Sequence, residues 1–201
     1  PIEIINKYGL DALRYYLIKE VSFGNDGNIS QEQLEKCINS DLANNYGNLC
    51  QRVVAFVDKN LNSKVPKNYN FLNEDFVILN NFNEEYNNIV NHIDNQDINN
   101  YVNFIVKQLF NANKYFNDQE PWNKKNDVKR LNTIIFVSLE LIRKISIMLY
   151  PIIPDSSLKA LEIFGIKEKD IFFETIKDNE YLKKIDKINK IQILFNKVKY
   201  D

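Results

Sequence analysis

Apolar positions along this chain recur at the three- and four-residue spacing of a single buried helical stripe. The longest run is Leu34, Ile38, Leu42, Tyr46, Leu49, Val53, Phe56 and Val57, which predicts one helix, or two nearly in line, over 30–60. Ser30 and Gln33 supply an S-x-x-Q capping signature at its start. Ahead of it, 1–7 and 10–19 read as two short helices divided by Gly9, with Leu13, Tyr16 and Leu17 inward. Asp11 falls in a first turn, where a negative charge suits the helix dipole, and Arg14 is placed to pair with it one turn on. Residues 22–28 read as a loop and 62–70 as a Pro-containing connection. A third stretch, 74–93, carries Phe76, Leu79, Phe82, Tyr86, Ile89, Val90 and Ile93 at helical spacing, and Asp97 is a fair cap for a helix to about residue 116. The stretch 128–150 is apolar nearly all round in its middle and is expected at the centre of a bundle. Pro151 and Pro154 end it, and Asp155 or Ser156 caps a short helix over 157–164, closed by Gly165. Past Ile166 the periodicity weakens, and the end of the chain alternates loosely as an extended segment would. The expected fold is an all-α helical bundle with an extended C-terminal tail, divided as 1–29, 30–166 and 167–201.

A second stripe runs along the longest helix. Asn44, Asn48 and Arg52 are four apart, so they stack on its flank, well off the apolar face. Two amides and a guanidinium in fixed planes can read the edge of an unpaired base. Gly47 sits among them, and a glycine inside a helix costs roughly 1 kcal/mol against alanine, which suggests a close approach to the backbone there. Polar pairs four apart are also ordinary solvated helix surface, and a glycine can simply admit a neighbouring helix. Spacing alone leaves both readings open. The same holds for Trp122, which follows Pro121 and stands beside Lys124 and Lys125. It is either a plug for the end of the core or a stacking platform for a splayed base.

Composition narrows the possibilities. A formal net charge of −1 excludes a chain that holds nucleic acid by bulk electrostatics, so any such binding must come from a local patch and base contacts. Cys37 and Cys50 form no ligand pair, and one histidine, His92, cannot complete a zinc site with them in any usual spacing. Both thiols are expected to be buried, in keeping with a reducing, cytoplasmic compartment. The sequence has no phosphate-binding loop, and Glu84-Glu85 reads as solvated helix face. It has no apolar run long enough for a membrane span and no signal-peptide pattern. The chain opens on Pro1 and its one methionine is Met148, so it is expected to be part of a longer polypeptide.

The run NSDLANNYGNLCQR at 39–52 matches the pattern N-x-x-L-x-N-x-x-G-N-L-x-x-R. With YGLDALRYYLI at 8–18, SFGNDGNIS at 22–30, PW at 121–122 and MLYPIIP at 148–154, it resembles the anticodon-binding part of methionyl-tRNA synthetases, a class I family. The resemblance spans nearly the whole chain, and GNLxxR together with the later PW is its most specific part. It implies a helical bundle that recognises the CAU anticodon loop of methionine tRNA. It also implies a first segment that links bundle to catalytic half along the inner side of the tRNA, and a tail ending in a pair like Leu194-Phe195 that folds back over the domain. Asn48 and Arg52 would hydrogen-bond the first anticodon base, a cytidine, and Asn44 would extend the same stripe; Trp122, set by Pro121, would stack on a base, and Lys124 and Lys125 would meet phosphate. The partners implied are tRNA and the catalytic half of the same polypeptide, with no DNA and no membrane. The His-Ile-Gly-His motif and lysine loop of that half are missing here, so this chain is expected to need no cofactor and to charge no tRNA by itself. ATP, with zinc as a further candidate, belongs to the other half. The rival readings are a helical protein-interaction domain without RNA binding, or the anticodon domain of another class I synthetase.

Overall fold

Helix α8, Val128–Leu149, is the axis of the bundle, and every residue from 133 to 149 is buried. The structure, a computed structural model, describes residues 1–20 and 30–198; the predicted loop over 22–28 lies outside them. Around α8 stand α1 (Ile2–Tyr8), α2 (Leu10–Glu20), α3 (Gln31–Cys37), α4 (Asn48–Leu61), α5 (Asn73–Glu84), α6 (Tyr86–Asp94), α7 (Ile98–Gln119) and α9 (Pro154–Glu162). Helices α4, α5, α7 and α9 pack on α8, and α2 lies on α7. No strand occurs among the described residues, which form an all-α fold with one isolated antiparallel bridge, Lys64 to Lys187.

Several helix ends follow the expected chemistry, and others are capped from elsewhere in the chain. Gly9 ends α1 at φ +89°, a conformation that glycine adopts freely. Ser30 Oγ accepts the Gln33 N–H at 3.4 Å, but the Gln33 side chain accepts from the Tyr16 hydroxyl at 3.3 Å instead of closing the capping box. The stretch 74–93 is two helices, not one, because the backbone leaves the helical register at Glu85 (ψ −1°). Helix α9 begins at Pro154, earlier than predicted, and neither Asp155 nor Ser156 caps it. Asp11 of α2 does so from a distance, its Oδ2 accepting the Ser156 N–H at 2.7 Å. Arg14 does not turn back to Asp11. It donates to the carbonyls of Ile152 at 2.8 Å and Pro151 at 2.9 Å, just past the end of α8.

The long helix contains a break in register that periodicity did not anticipate. Residues Ile38–Gly47 form a π-helix between α3 and α4. At its end the Asn48 N–H reaches the Ala43 carbonyl, five residues back. Gly47 has a local cause here. A Cβ on it would stand 3.1 Å from the Leu42 carbonyl oxygen and 4.0 Å from the backbone N of Phe195. The missing side chain thus makes room for the helix's own displaced carbonyl, while the tail at Phe195 lies at ordinary contact distance. Asn39 fastens that tail: its Nδ2 donates to the Val198 carbonyl and its Oδ1 accepts the Val198 N–H, both at 2.8 Å.

The segment 166–198 has no amphipathic stripe, yet it is well held, because α8 offers it buried polar side chains. Glu140, Arg143 and Lys144 are buried on one flank of α8. Arg143 donates to the carbonyls of Thr175 (3.0 Å) and Asp178 (2.8 Å), Glu140 accepts the Leu182 N–H (2.6 Å), and Lys144 bonds the Ile176 carbonyl and Asn179 Oδ1. A buried polar group without a partner costs about 1–3 kcal/mol, so backbone groups of the tail and side chains of α8 satisfy one another.

Candidate nucleic-acid interface

Arg52 and Trp122 meet at one place. Arg52 projects from the first half of α4, while Trp122 follows the C-terminus of α7, in a 3-10 turn over Pro121–Asn123. Glu120 takes a left-handed conformation (φ 45°) and Pro121 bars further helix, so the chain turns sharply and leaves the indole at the corner. Pro121 is buried, while Trp122 keeps 40% of its surface exposed. The ring therefore does not plug the core.

Phe116, on the last turns of α7, joins the two. Its ring lies 5.3 Å from the Arg52 guanidinium carbon and 6.0 Å from the Trp122 ring, at 71° to the latter. Phe56 meets Phe116 edge-on from α4 at 6.3 Å. Arg52 Nη2 donates to Asn117 Oδ1 at 2.6 Å, which uses one of the five guanidinium N–H groups and fixes the plane of the rest. A cation on an aromatic face adds about 0.5–1 kcal/mol at a partly exposed site, enough to hold the rotamer.

These groups line an open concavity of about 420 Å³. Its floor is aromatic, from Phe56, Phe116 and Trp122, and Ala55 opens a notch in the wall. Three cations stand around it, Arg52, Lys59 and Lys125, with Asn60 beside them, and no carboxylate lines it. A chain of net charge −1 thus gathers a local positive rim against stacking surface, the composition single-stranded nucleic acid calls for.

The other residues singled out from sequence fall around this centre. Asn48 is half-buried one regular turn before Arg52 on α4, so it flanks the concavity without lining it. Asn44 is exposed but belongs to the π-helix. It precedes α4 and does not line the concavity. Its neighbour Asn45 is bonded to Asn113 of α7 at 2.6 Å. Lys125 lines the concavity and Lys124 does not. Sequence reasoning passed over Phe116 and Asn117, which look like the end of an ordinary stripe, and Lys59, although it continues the spacing Arg52, Phe56 at the next turn.

The residues do not suit a metal. Among the described residues no group of three His, Cys, Asp or Glu side chains could hold one. Both cysteines are buried, and burial, with Asp41 nearby, pushes the Cys37 thiol up to about 12. His92 bonds Asp97 at 2.9 Å, far from this chemistry in the chain. No helix among the described residues is long and apolar enough to cross a membrane.

Residues 65–201 match the family model described as the anticodon binding domain of methionyl tRNA ligase, and residues 1–54 match that of class I tRNA synthetases (M). The chain belongs to the methionyl-tRNA ligase family. It is 38% identical to the methionine–tRNA ligase of Brucella suis over 167 residues, which is 83% of this chain and 32% of the relative. It is 34% identical to that of Thermotoga maritima over 171 residues, 84% of this chain and 27% of the relative. The solved methionyl-tRNA synthetase of Mycobacterium tuberculosis in its apo form superposes on the whole chain with a TM-score of 0.92 at 30% identity, over 41% of that structure. The chain therefore spans about a third of the length of the curated relatives it matches. Within the family it is the all-α anticodon-binding part, and the match disfavours the anticodon domain of another class I synthetase.

Proposed function

We propose that the concavity between α4 and the Pro121–Trp122 turn reads the CAU anticodon of methionine tRNA. The observation that carries this is the meeting of Arg52 and Trp122 on one aromatic floor within a rim of cations. Trp122 stacks on an unpaired anticodon base. Arg52, its plane fixed by Asn117, and Asn48 one turn away hydrogen-bond the edge of the first base, a cytidine. Asn44 extends the contact along the helix, and Lys125, with Lys124 beyond it, meets the backbone phosphates. A wrong base leaves these polar groups unpaired, at about 1–3 kcal/mol each, which is the source of specificity. Pro121 acts by setting the turn.

Under the same proposal the chain serves a larger cytoplasmic polypeptide that joins methionine to tRNA using ATP, and the catalytic half supplies any nucleotide or zinc chemistry. Binding of a CAU anticodon stem-loop tests the reading. Arg52→Ala and Trp122→Ala each weaken it by roughly 5- to 150-fold, equivalent to 1–3 kcal/mol per base contact, at unchanged helicity. Parent-like binding by both variants sinks the assignment.

A further inference from the structure

We propose that Lys59 holds the phosphate of the nucleotide whose base lies on Trp122, so that the concavity takes up one whole nucleotide and not a base alone. This rests on the anticodon reading above and adds to it a residue that neither the motif nor the spacing argument assigned. Helix α4 is regular from Asn48 to Leu61, so Arg52, Phe56 and Lys59 fall at the i, i+4, i+7 positions of one face. Arg52 and Lys59 are then two turns, about 10 Å, apart along the axis. Between them stands Ala55, whose short side chain leaves the notch open, and all four line the same cavity.

The two cations differ in what they can do. Arg52 is pinned: its guanidinium lies against Phe116 and donates to Asn117. A planar fork held in one orientation suits the edge of a base. Lys59 is exposed and makes no ion pair among the described residues. The adjacent acid, Asp58, is engaged by the Ser63 hydroxyl at 2.6 Å. With no carboxylate on the lining, nothing in the concavity competes for the ammonium. A compact charge on a flexible stem follows a phosphate without dictating the base attached to it.

The test measures affinity of the full chain for a CAU anticodon stem-loop, and for one with its first anticodon base changed, across a range of salt concentrations. Lys59→Ala weakens both RNAs by the same factor and makes the slope of log K against log salt shallower by about 0.7, the value for one phosphate contact on a single strand. Lys59→Arg restores the slope. Arg52→Ala, by contrast, loses discrimination between the two RNAs. The proposal is overturned if Lys59→Ala leaves the slope unchanged or alters discrimination, or if only Lys125→Ala makes the slope shallower. Parent-like binding by both Arg52→Ala and Trp122→Ala is a different result, which removes the anticodon reading and this proposal with it.

Discussion

Asp75 ties the Trp122 turn to the body of the bundle, and its replacement by alanine should be costly. The carboxylate is completely buried. It accepts the Leu72 N–H at 2.8 Å, which caps the start of α5, and it accepts the Tyr115 hydroxyl from α7. Arg130 of α8 donates to both its oxygens, from Nη1 at 2.5 Å and Nη2 at 3.2 Å. The same Arg130 also bonds Glu74 at 2.8 Å and Gln119 at 2.7 Å, and Gln119 immediately precedes the turn that carries Trp122. Asp75→Ala leaves a buried tyrosine hydroxyl without its acceptor and a largely buried guanidinium with only the exposed Glu74 as counter-ion. Breaking a buried pair on one side costs about 3–5 kcal/mol. For a domain of this size each kcal/mol moves Tm by about 2–4 °C, so the melting temperature should fall by roughly 6–20 °C. Thermal unfolding followed by far-ultraviolet circular dichroism measures it. Tyr115→Phe, which deletes one neutral donor, should cost only about 1 kcal/mol. A shift below about 2 °C for Asp75→Ala would refute the reasoning, since it would mean the network contributes less than 1 kcal/mol.

Other perturbations probe other parts of the fold. Gly47→Ala gains helix propensity of about 1 kcal/mol but sets a methyl 3.1 Å from a packed backbone carbonyl; Tm should fall, and a rise would show that the π segment yields easily. Lys144 is buried, and desolvation, reinforced by Arg143 beside it, lowers its pKa from 10.5 to about 7. The unfolded chain therefore holds a proton that the folded chain has released between about pH 7 and pH 10, so this lysine makes stability climb with pH in that window. Urea unfolding at several pH values should show the climb in the parent and a flatter profile in Lys144→Met; equal slopes in the two would exclude the assignment. Asn39→Ala removes both bonds to Val198, so limited proteolysis should cut the tail near Leu194 faster with no loss of helix; an unchanged cleavage rate would count against the clamp.

The candidate site was legible to the degree that it lies on a regular helix. Arg52 and Asn48 are on a regular part of α4, where four residues return to the same face, and the spacing placed them correctly with respect to each other. Asn44 precedes α4 on a π-helix that periodicity did not anticipate, and it lies outside the concavity. Trp122 was ambiguous because Pro121 predicts a turn without saying which side of the bundle the turn faces. Phe116 and Asn117 were invisible as site residues, since their roles exist only through contacts with Arg52 and Trp122.

The sequence alone determined the class of fold, the central place of α8 and the starts of α7 and α8, because hydrophobic periodicity, prolines and glycines act over a few residues. It also carried the motif that marks the family. Only tertiary structure decided the rest. A carboxylate in α2 caps α9, and arginine and lysine on α8 bind the backbone of an irregular tail. An asparagine in the π-helix clamps backbone more than a hundred residues away, and three cations from a near-neutral chain gather around one indole. In each case the partner of a polar group is chosen by where packing brings distant segments together, and no local pattern encodes that choice.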